Sequence, residues 1–111
     1  MTVEKIEKYK GETYMVVIDR VKKVFLHRDI INRFGLAEGS EITNEQLTQV
    51  LMASELRRAS RRAMYLINER DYSYIQLFEK LSANYSEDIC YKVTDMMAKK
   101  GFINDRRYAQ E

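Results

Sequence analysis

Four arginines cluster within a short stretch of the second half of the chain: Arg57, Arg58, Arg61 and Arg62. On a helix this spacing places all four guanidinium groups on one face, within about 9 Å of helix rise. Negative charge occurs only at the margins of that face, at Glu55 and Glu69. A guanidinium group can bind a carboxylate or a phosphate. The spacing therefore predicts contact with an acidic protein surface or with phosphates, and a solvated helix face is the alternative without a partner.

Two more pairs of basic residues are candidates for the same contacts. They lie near the end of the chain: Lys99, Lys100, Arg106 and Arg107. The sequence contains no catalytic motif of the kinds considered: it has no Gly-rich phosphate loop, no nucleophile elbow and no metal-ligand spacing. His27 is the single histidine, and the single cysteine, Cys90, has the spacing of a buried and inert thiol. The sequence therefore predicts no enzyme, no metal and no cofactor.

The composition is that of a globular protein. Hydrophobic residues make up 45% of the 111 residues and charged residues 32%, which is unlike a disordered or membrane-embedded chain. No apolar run approaches the length of a membrane span, and the first residues lack the apolar core of a signal peptide. We therefore expect a cytoplasmic protein with no membrane contact. The formal net charge of +2 is too small to identify a partner.

The first quarter of the chain carries the patterns of β-strands. Segments 2–9, 14–18 and 24–26 are separated by turn sequences, which predicts a small three-stranded antiparallel sheet. Segment 28–34 then has helical spacing, and Gly35 is placed to end that short helix.

From Thr43 the hydrophobic period becomes helical. Thr43 and Gln46 have the spacing of a capping box, and the helix could extend to Arg70. Its apolar face lies opposite the arginines and consists of Leu56, Ala59, Ala63, Leu66 and Ile67. This helix must therefore pack on one side and present the arginines on the other.

Two shorter helices follow. Ser73 and Gln76 form a second capping box, and that helix is expected to end near Asn84. Ser86 is placed to cap a third helix, which Gly101 would end in a left-handed conformation. Three amphipathic helices joined by short links are expected to pack into one bundle.

These patterns predict an α+β fold that is mainly α. We expect a β-rich segment with a short helix over residues 1–42, a three-helix repeat with a long first helix over 43–103, and the start of a following repeat over 104–111. Asn104 would cap that last helix, which stops after about one and a half turns and is too short to persist without packing partners. The sequence thus predicts a truncated piece of a longer protein that continues with more helices.

The helical part resembles the RecX family of bacterial regulatory proteins. The resemblance is carried by Leu77, Arg70-Asp-Tyr-Ser73, Lys80-Leu81 and above all Lys100-Gly-Phe-Ile-Asn-Asp-Arg-Arg-Tyr-Ala109. The N-terminal half is similar to the β-rich segment of many RecX proteins at Tyr14-Met-Val-Val-Ile-Asp19, Val24-Phe-Leu26, Asp29-Ile-Ile, Phe34-Gly-Leu36 and Gly39. Asn84-Tyr85 departs from the Lys-Gly of many members, a change that an asparagine can absorb because it tolerates the left-handed conformation.

The resemblance implies a protein that binds and inhibits the recombinase RecA. Members of the family are built from three tandem three-helix repeats and lie along the groove of a RecA–single-stranded-DNA filament, whereas this chain holds one repeat and the beginning of the next. We therefore expect the RecA filament as the first partner of the arginine face and the single-stranded DNA within the filament as the second.

A helix-turn-helix DNA-binding module is the main alternative, because a short second helix followed by a third is its outline. In that arrangement Ser86, Glu87 and Asp88 would enter the major groove. Two carboxylates are repelled by a phosphate-lined groove, so the sequence argues against base readout by this helix. Non-specific nucleic-acid binding by the helical module remains the other alternative.

An apolar patch is expected where the chain stops short of the following repeat. Its candidate members are Met97, Phe102, Ile103 and Tyr108. Each unit of a tandem-repeat protein buries a face against its neighbour, so a missing neighbour leaves that face exposed. We expect the chain to self-associate through this end.

The eight tyrosines have a different expected role. They lie mostly at helix-stripe or strand positions. We interpret them as packing and rim residues and not as platforms for base stacking.

Overall fold

The computed structural model describes residues 1–103 and divides the chain into two compact units, Met1–Ser54 and Glu55–Glu111. The expected cap at Asn104 and the expected contacts of Arg106, Arg107 and Tyr108 lie outside the described residues. The long helix α2 (Asn44–Glu69) contributes its first turns to unit 1 and the remainder to unit 2. Residues 43–103 were predicted as one repeat, whereas the division into compact units falls later, after Ser54.

Unit 1 begins with the predicted antiparallel sheet. Strands β1 (Val3–Lys10), β2 (Thr13–Ile18) and β3 (Lys22–His27) pair in the order β1-β2-β3. Residues 19–21 connect β2 to β3, and Asp19 and Arg20 have φ of 53° and 65°, both left-handed. Two successive left-handed residues match the twist of a hairpin, which explains why the chain turns tightly here without a glycine.

One face of the sheet forms the core of unit 1. Its buried members come from alternate positions of the strands, from helix α1 (Arg28–Phe34), from the loop before α2 and from the start of α2: Val3, Val16, Ile18, Leu26, Ile30, Ile31, Ile42, Leu47 and Val50. Gly35 ends α1 as predicted, with φ of 63°, a conformation that an L side chain rarely adopts. The loop before α2 is bound to the edge strand, because the Val3 amide donates to the Ser40 carbonyl at 2.8 Å.

Unit 2 contains the rest of α2 followed by α3 (Tyr74–Ser82) and α4 (Glu87–Lys99). Their apolar stripes meet in a core that includes Ala59, Ala63, Leu77, Leu81, Ile89, Cys90 and Val93. Ala59 and Ala63 are 0% exposed, so the predicted packing face of α2 is confirmed, and Leu77 on α3 is 0% exposed as well. The α+β class is confirmed as well, and the status of these helices as one of several repeats stays a prediction.

The predicted helix ends are mostly confirmed. Thr43 and Gln46 exchange both capping-box hydrogen bonds, with the Gln46 amide donating to Thr43 Oγ1 at 3.0 Å. Ser73 and Gln76 do the same at the start of α3. Gly101 ends α4 with φ of 79°, and the following amide of residue 102 donates to the carbonyl of residue 97 at 2.9 Å. Ser86 occupies the N-cap position of α4, but its side chain makes no cap hydrogen bond.

Candidate functional site

The arginine face lies on the part of α2 that belongs to unit 2. Because successive residues of a helix are about 100° apart, burial of Ala59, Ala63 and Leu66 turns the arginines away from the core. Arg58, Arg61 and Arg62 are exposed, and Arg57 is half-buried. The structure thus brings the four predicted arginines together on one helix surface, with exposure greatest over Arg58, Arg61 and Arg62.

Arg62 is held by an aromatic ring. Its guanidinium carbon lies 5.3 Å from the centroid of the Tyr65 ring, one turn further along the helix. In the described part of the chain no carboxylate pairs with Arg61 or Arg62. Stacking leaves the N–H groups of a guanidinium available in its plane, so this face can bind carboxylates or phosphates of a partner.

Glu55 has a role that the sequence did not predict. Its Oε2 accepts a hydrogen bond from the Ser86 backbone amide at 3.0 Å, so the carboxylate satisfies the N-cap amide of α4, whereas the Ser86 side chain makes no cap hydrogen bond. A negative charge at a helix N-terminus is favourable because the unsatisfied amides there carry partial positive charge. The two residues are 31 positions apart, and no local sequence pattern could have shown the contact.

Lys99 and Lys100 contribute to a second basic surface. With Lys92, Asp95 and Met96 they line an open groove of about 480 Å³ along α4. The Tyr74 hydroxyl donates to the Asp95 carboxylate at 2.5 Å, so the acidic group in the groove is already hydrogen-bonded. Lys92 was missed by the sequence analysis, although its spacing of seven from Lys99 places both on one helical stripe.

The N-terminus of α4 is an acidic surface. Glu87 and Asp88 are both exposed in its first turn, and the Glu55 carboxylate reaches the Ser86 amide beside them. Three carboxylates at the helix end that would enter a DNA groove strengthen the electrostatic argument against helix-turn-helix readout.

The expected apolar patch at the end of the chain is not formed by the described residues. Met97 and Ile103 are 2% and 7% exposed and belong to the core of unit 2. Phe102 is 46% exposed, and Tyr108 lies outside the described residues. The prediction was wrong for Met97 and Ile103, because the turn at Gly101 folds Ile103 back onto the bundle.

Cys90 is buried in the same core, and the surroundings of its thiol shift the thiol pKa. Burial raises the pKa of the Cys90 thiol above its ordinary value, and the carboxylates of Glu55 and Glu87 add to the effect. The thiol is therefore protonated and shielded, which agrees with an inert structural role.

Residues 1–103 contain no group of three or more His, Cys, Asp or Glu side chains arranged to hold a metal ion. None of their helices combines the length and apolar character needed to cross a membrane.

No family model matches the chain. The curated relatives include "Regulatory protein RecX" of Streptococcus sanguinis (strain SK36), 29% identical over 110 residues that cover 98% of this chain and 42% of the relative. "Regulatory protein RecX" of Clostridioides difficile (strain 630) is 27% identical over 111 residues, with 98% and 52% covered. That of Streptococcus uberis (strain ATCC BAA-854 / 0140J) is 28% identical, with 99% and 43% covered.

A solved structure shares the fold. The "Crystal structure of regulatory protein RecX" superposes with a TM-score of 0.67 at 19% identity and covers 97% of this chain and 54% of that one. The chain is therefore RecX-like over nearly its whole length. It spans about half the length of the curated relatives it matches.

Proposed function

We propose that this chain is the N-terminal and first-repeat portion of a regulatory protein that binds the RecA–single-stranded-DNA filament in the cytoplasm and inhibits recombinase activity in DNA repair and recombination. The proposal is supported by relatives that are named regulatory proteins and by the family resemblance to RecX. In this proposal the chain acts by binding a partner and not by catalysis. The surfaces of its described residues offer cationic groups for that contact.

The exposed arginine face of α2 carries the proposal. A row of guanidinium groups, backed by buried Ala59 and Ala63, presents positive charge on a helix whose position in unit 2 is fixed by packing. Such a row fits an acidic protein surface, because each arginine can engage a carboxylate through two parallel hydrogen bonds. The groove lined by Lys99 and Lys100 offers a second surface with positively charged side chains for the same partner.

The RecA surface ranks before DNA as the target of the arginines. The whole chain has 19 basic and 17 acidic residues, so its general attraction to a polyanion is small. A protein that held DNA by phosphate contacts alone would be expected to carry a larger excess of positive charge. The arginine face therefore serves the protein partner first, with filament DNA as a second contact.

The test compares the unmodified chain with the double variant Arg58→Ala/Arg62→Ala. We expect the variant to lose affinity for the RecA filament and to inhibit single-stranded-DNA-dependent ATP hydrolysis by RecA less than the unmodified chain. Lys8→Ala/Lys80→Ala is the matched control, because it removes the same charge from two other exposed positions. Equal losses in both double variants would mean that total charge matters and the arginine face does not.

Binding to naked single-stranded DNA separates the two kinds of contact. If Arg58 and Arg62 contact phosphates, the double variant loses these contacts. The slope of log affinity against log salt concentration for naked-DNA binding should then be flatter by about one to two units in the variant. We expect weak naked-DNA binding whose salt slope the variant leaves unchanged. Tight binding by the unmodified chain whose salt slope becomes flatter in the double variant would reverse the order of the two partners.

A further inference from the structure

The face of the sheet that points away from the core of unit 1 carries an exposed aromatic pair. Tyr9 on β1 is 63% exposed and Phe25 on β3 is 46% exposed. Their ring centroids are 4.7 Å apart with the planes inclined at 51°. Since β1 and β3 are the two edge strands, the rings meet across the central strand β2, above Met15, which is the register partner of Phe25.

Lysines occupy the register positions on both sides of this pair. Lys5 and Lys23 both pair with Val17, which places them on the same face as Phe25, two positions away along the strands. Lys10 pairs with Thr13 at the opposite end. The single acidic residue among these positions is Glu7, which pairs with Met15 in the central row and whose carboxylate lies 3.5 Å from the Lys5 ammonium group. The face therefore has the aromatic pair and one lysine-paired carboxylate at its centre, and lysines at both ends.

We propose that this face binds single-stranded nucleic acid, with bases stacked on Tyr9 and Phe25 and the phosphate backbone running between the lysines at the two ends. Exposed aromatic rings on a sheet, flanked by cationic side chains, provide the two contacts that unpaired strands need: a surface for the π-face of a base and charge for the backbone. The inference goes beyond the proposed function because it requires no protein partner. It also replaces the interpretation of Tyr9 as a packing residue.

Unit 2 contains an aromatic pair of nearly the same geometry, which serves as an internal comparison. The rings of Phe78 and Tyr91 are also 4.7 Å apart, inclined at 49°. Phe78, however, packs against the core, and Tyr91 lies within one helical turn of Glu87, Asp88 and Asp95. Acidic neighbours repel a phosphate backbone, so ring geometry alone does not make this second pair a binding platform.

The experiment uses the full chain and a fluorescently labelled oligothymidylate, without RecA. The same length of oligouridylate tests RNA, and an abasic oligomer of equal length keeps the phosphates but removes the bases. The variant is Tyr9→Leu/Phe25→Leu, because leucine retains apolar contact with Met15 and removes the stacking surface. Tyr9→Phe keeps the ring, and Tyr91→Leu is the matched control at the second aromatic pair, where Tyr91 is 48% exposed.

We expect the leucine double variant to bind the oligonucleotide about tenfold or more weakly, since stacking one base is worth that much. Tyr91→Leu should leave the affinity unchanged, and Tyr9→Phe should bind more tightly than the leucine variant because it keeps the stacking ring. The unmodified chain should bind the abasic oligomer as weakly as the leucine variant binds the normal one. In an NMR titration, the resonances of Tyr9 and Phe25 should shift before those of unit 2.

Two results would overturn the inference. Equal affinity of the leucine variant and the unmodified chain would show that the rings do not contact bases. A leucine variant that binds oligonucleotides normally but loses affinity for the RecA filament would show that the sheet face binds protein. The inference and the proposed function can fail separately, because the leucine variant tests naked nucleic acid and the arginine variant tests the filament.

Discussion

Replacing Leu77 with alanine tests the helical core of unit 2 most directly. Leu77 lies in the middle of α3 and is 0% exposed, and its neighbours in the core come from all three helices of the unit. The sequence pattern alone predicts a cost of roughly 2–4 kcal/mol. Because Leu77 is fully buried, we expect a loss of stability in the upper part of that range.

The magnitude follows from two terms. Truncation removes three buried carbon atoms, which at about 0.8 kcal/mol each lowers the free energy of unfolding by about 2.4 kcal/mol. A residual cavity of about 50 Å³ would add about 1 kcal/mol, because the surrounding helices cannot fully collapse around it. We therefore expect Leu77→Ala to cost about 3–4 kcal/mol.

Urea denaturation followed by far-ultraviolet circular dichroism measures the loss. Because the chain has two compact units, hydrogen exchange of the α3 and α4 amides should accompany it and assign the loss to unit 2. Ile75→Ala is the matched control, since Ile75 lies on the same helix and is 56% exposed; it should change stability by less than about 0.5 kcal/mol. A cost below about 0.5 kcal/mol for Leu77→Ala would refute the register of α3 and the packing derived from it.

The remaining predictions concern helix ends and the buried thiol. Ser73→Ala should lower the free energy of unfolding by about 1 kcal/mol, whereas Ser86→Ala should cost less than about 0.5 kcal/mol because the Ser86 side chain makes no cap hydrogen bond; parallel urea titrations compare them. Glu55→Gln should cost about 0.5–1 kcal/mol by removing the charge that caps α4, and a loss confined to unit 2 in hydrogen exchange would identify the cause. Burial, with smaller contributions from nearby carboxylates, raises the pKa of Cys90 above 9.0, so the native state keeps a proton that the unfolded chain loses. The free energy of unfolding should therefore fall as pH rises through 9.0 and level off above the folded pKa, and Cys90→Ala should lack this part of the decline.

Much of the local structure could be predicted from the sequence because its causes are local. The capping boxes at Thr43 and Ser73 depend on residues three positions apart, and the left-handed turns at Gly35 and Gly101 depend on the missing Cβ. Strand alternation and the helical period likewise placed the sheet, the helices and the two faces of α2. The arginine face was predictable for the same reason, since one helix positions all of it.

Contacts between distant segments required the tertiary structure. The Glu55 carboxylate reaches the Ser86 amide only because α2 and α4 pack in one unit, and the Tyr9 ring reaches Phe25 only because the two hairpins place both edge strands beside β2. Met97 and Ile103 are apolar residues that the sequence alone assigns to an exposed patch, yet packing buries both side chains. A sequence states which side chains are apolar or charged and how they repeat along one element, whereas their exposure and their distant partners depend on which elements pack together.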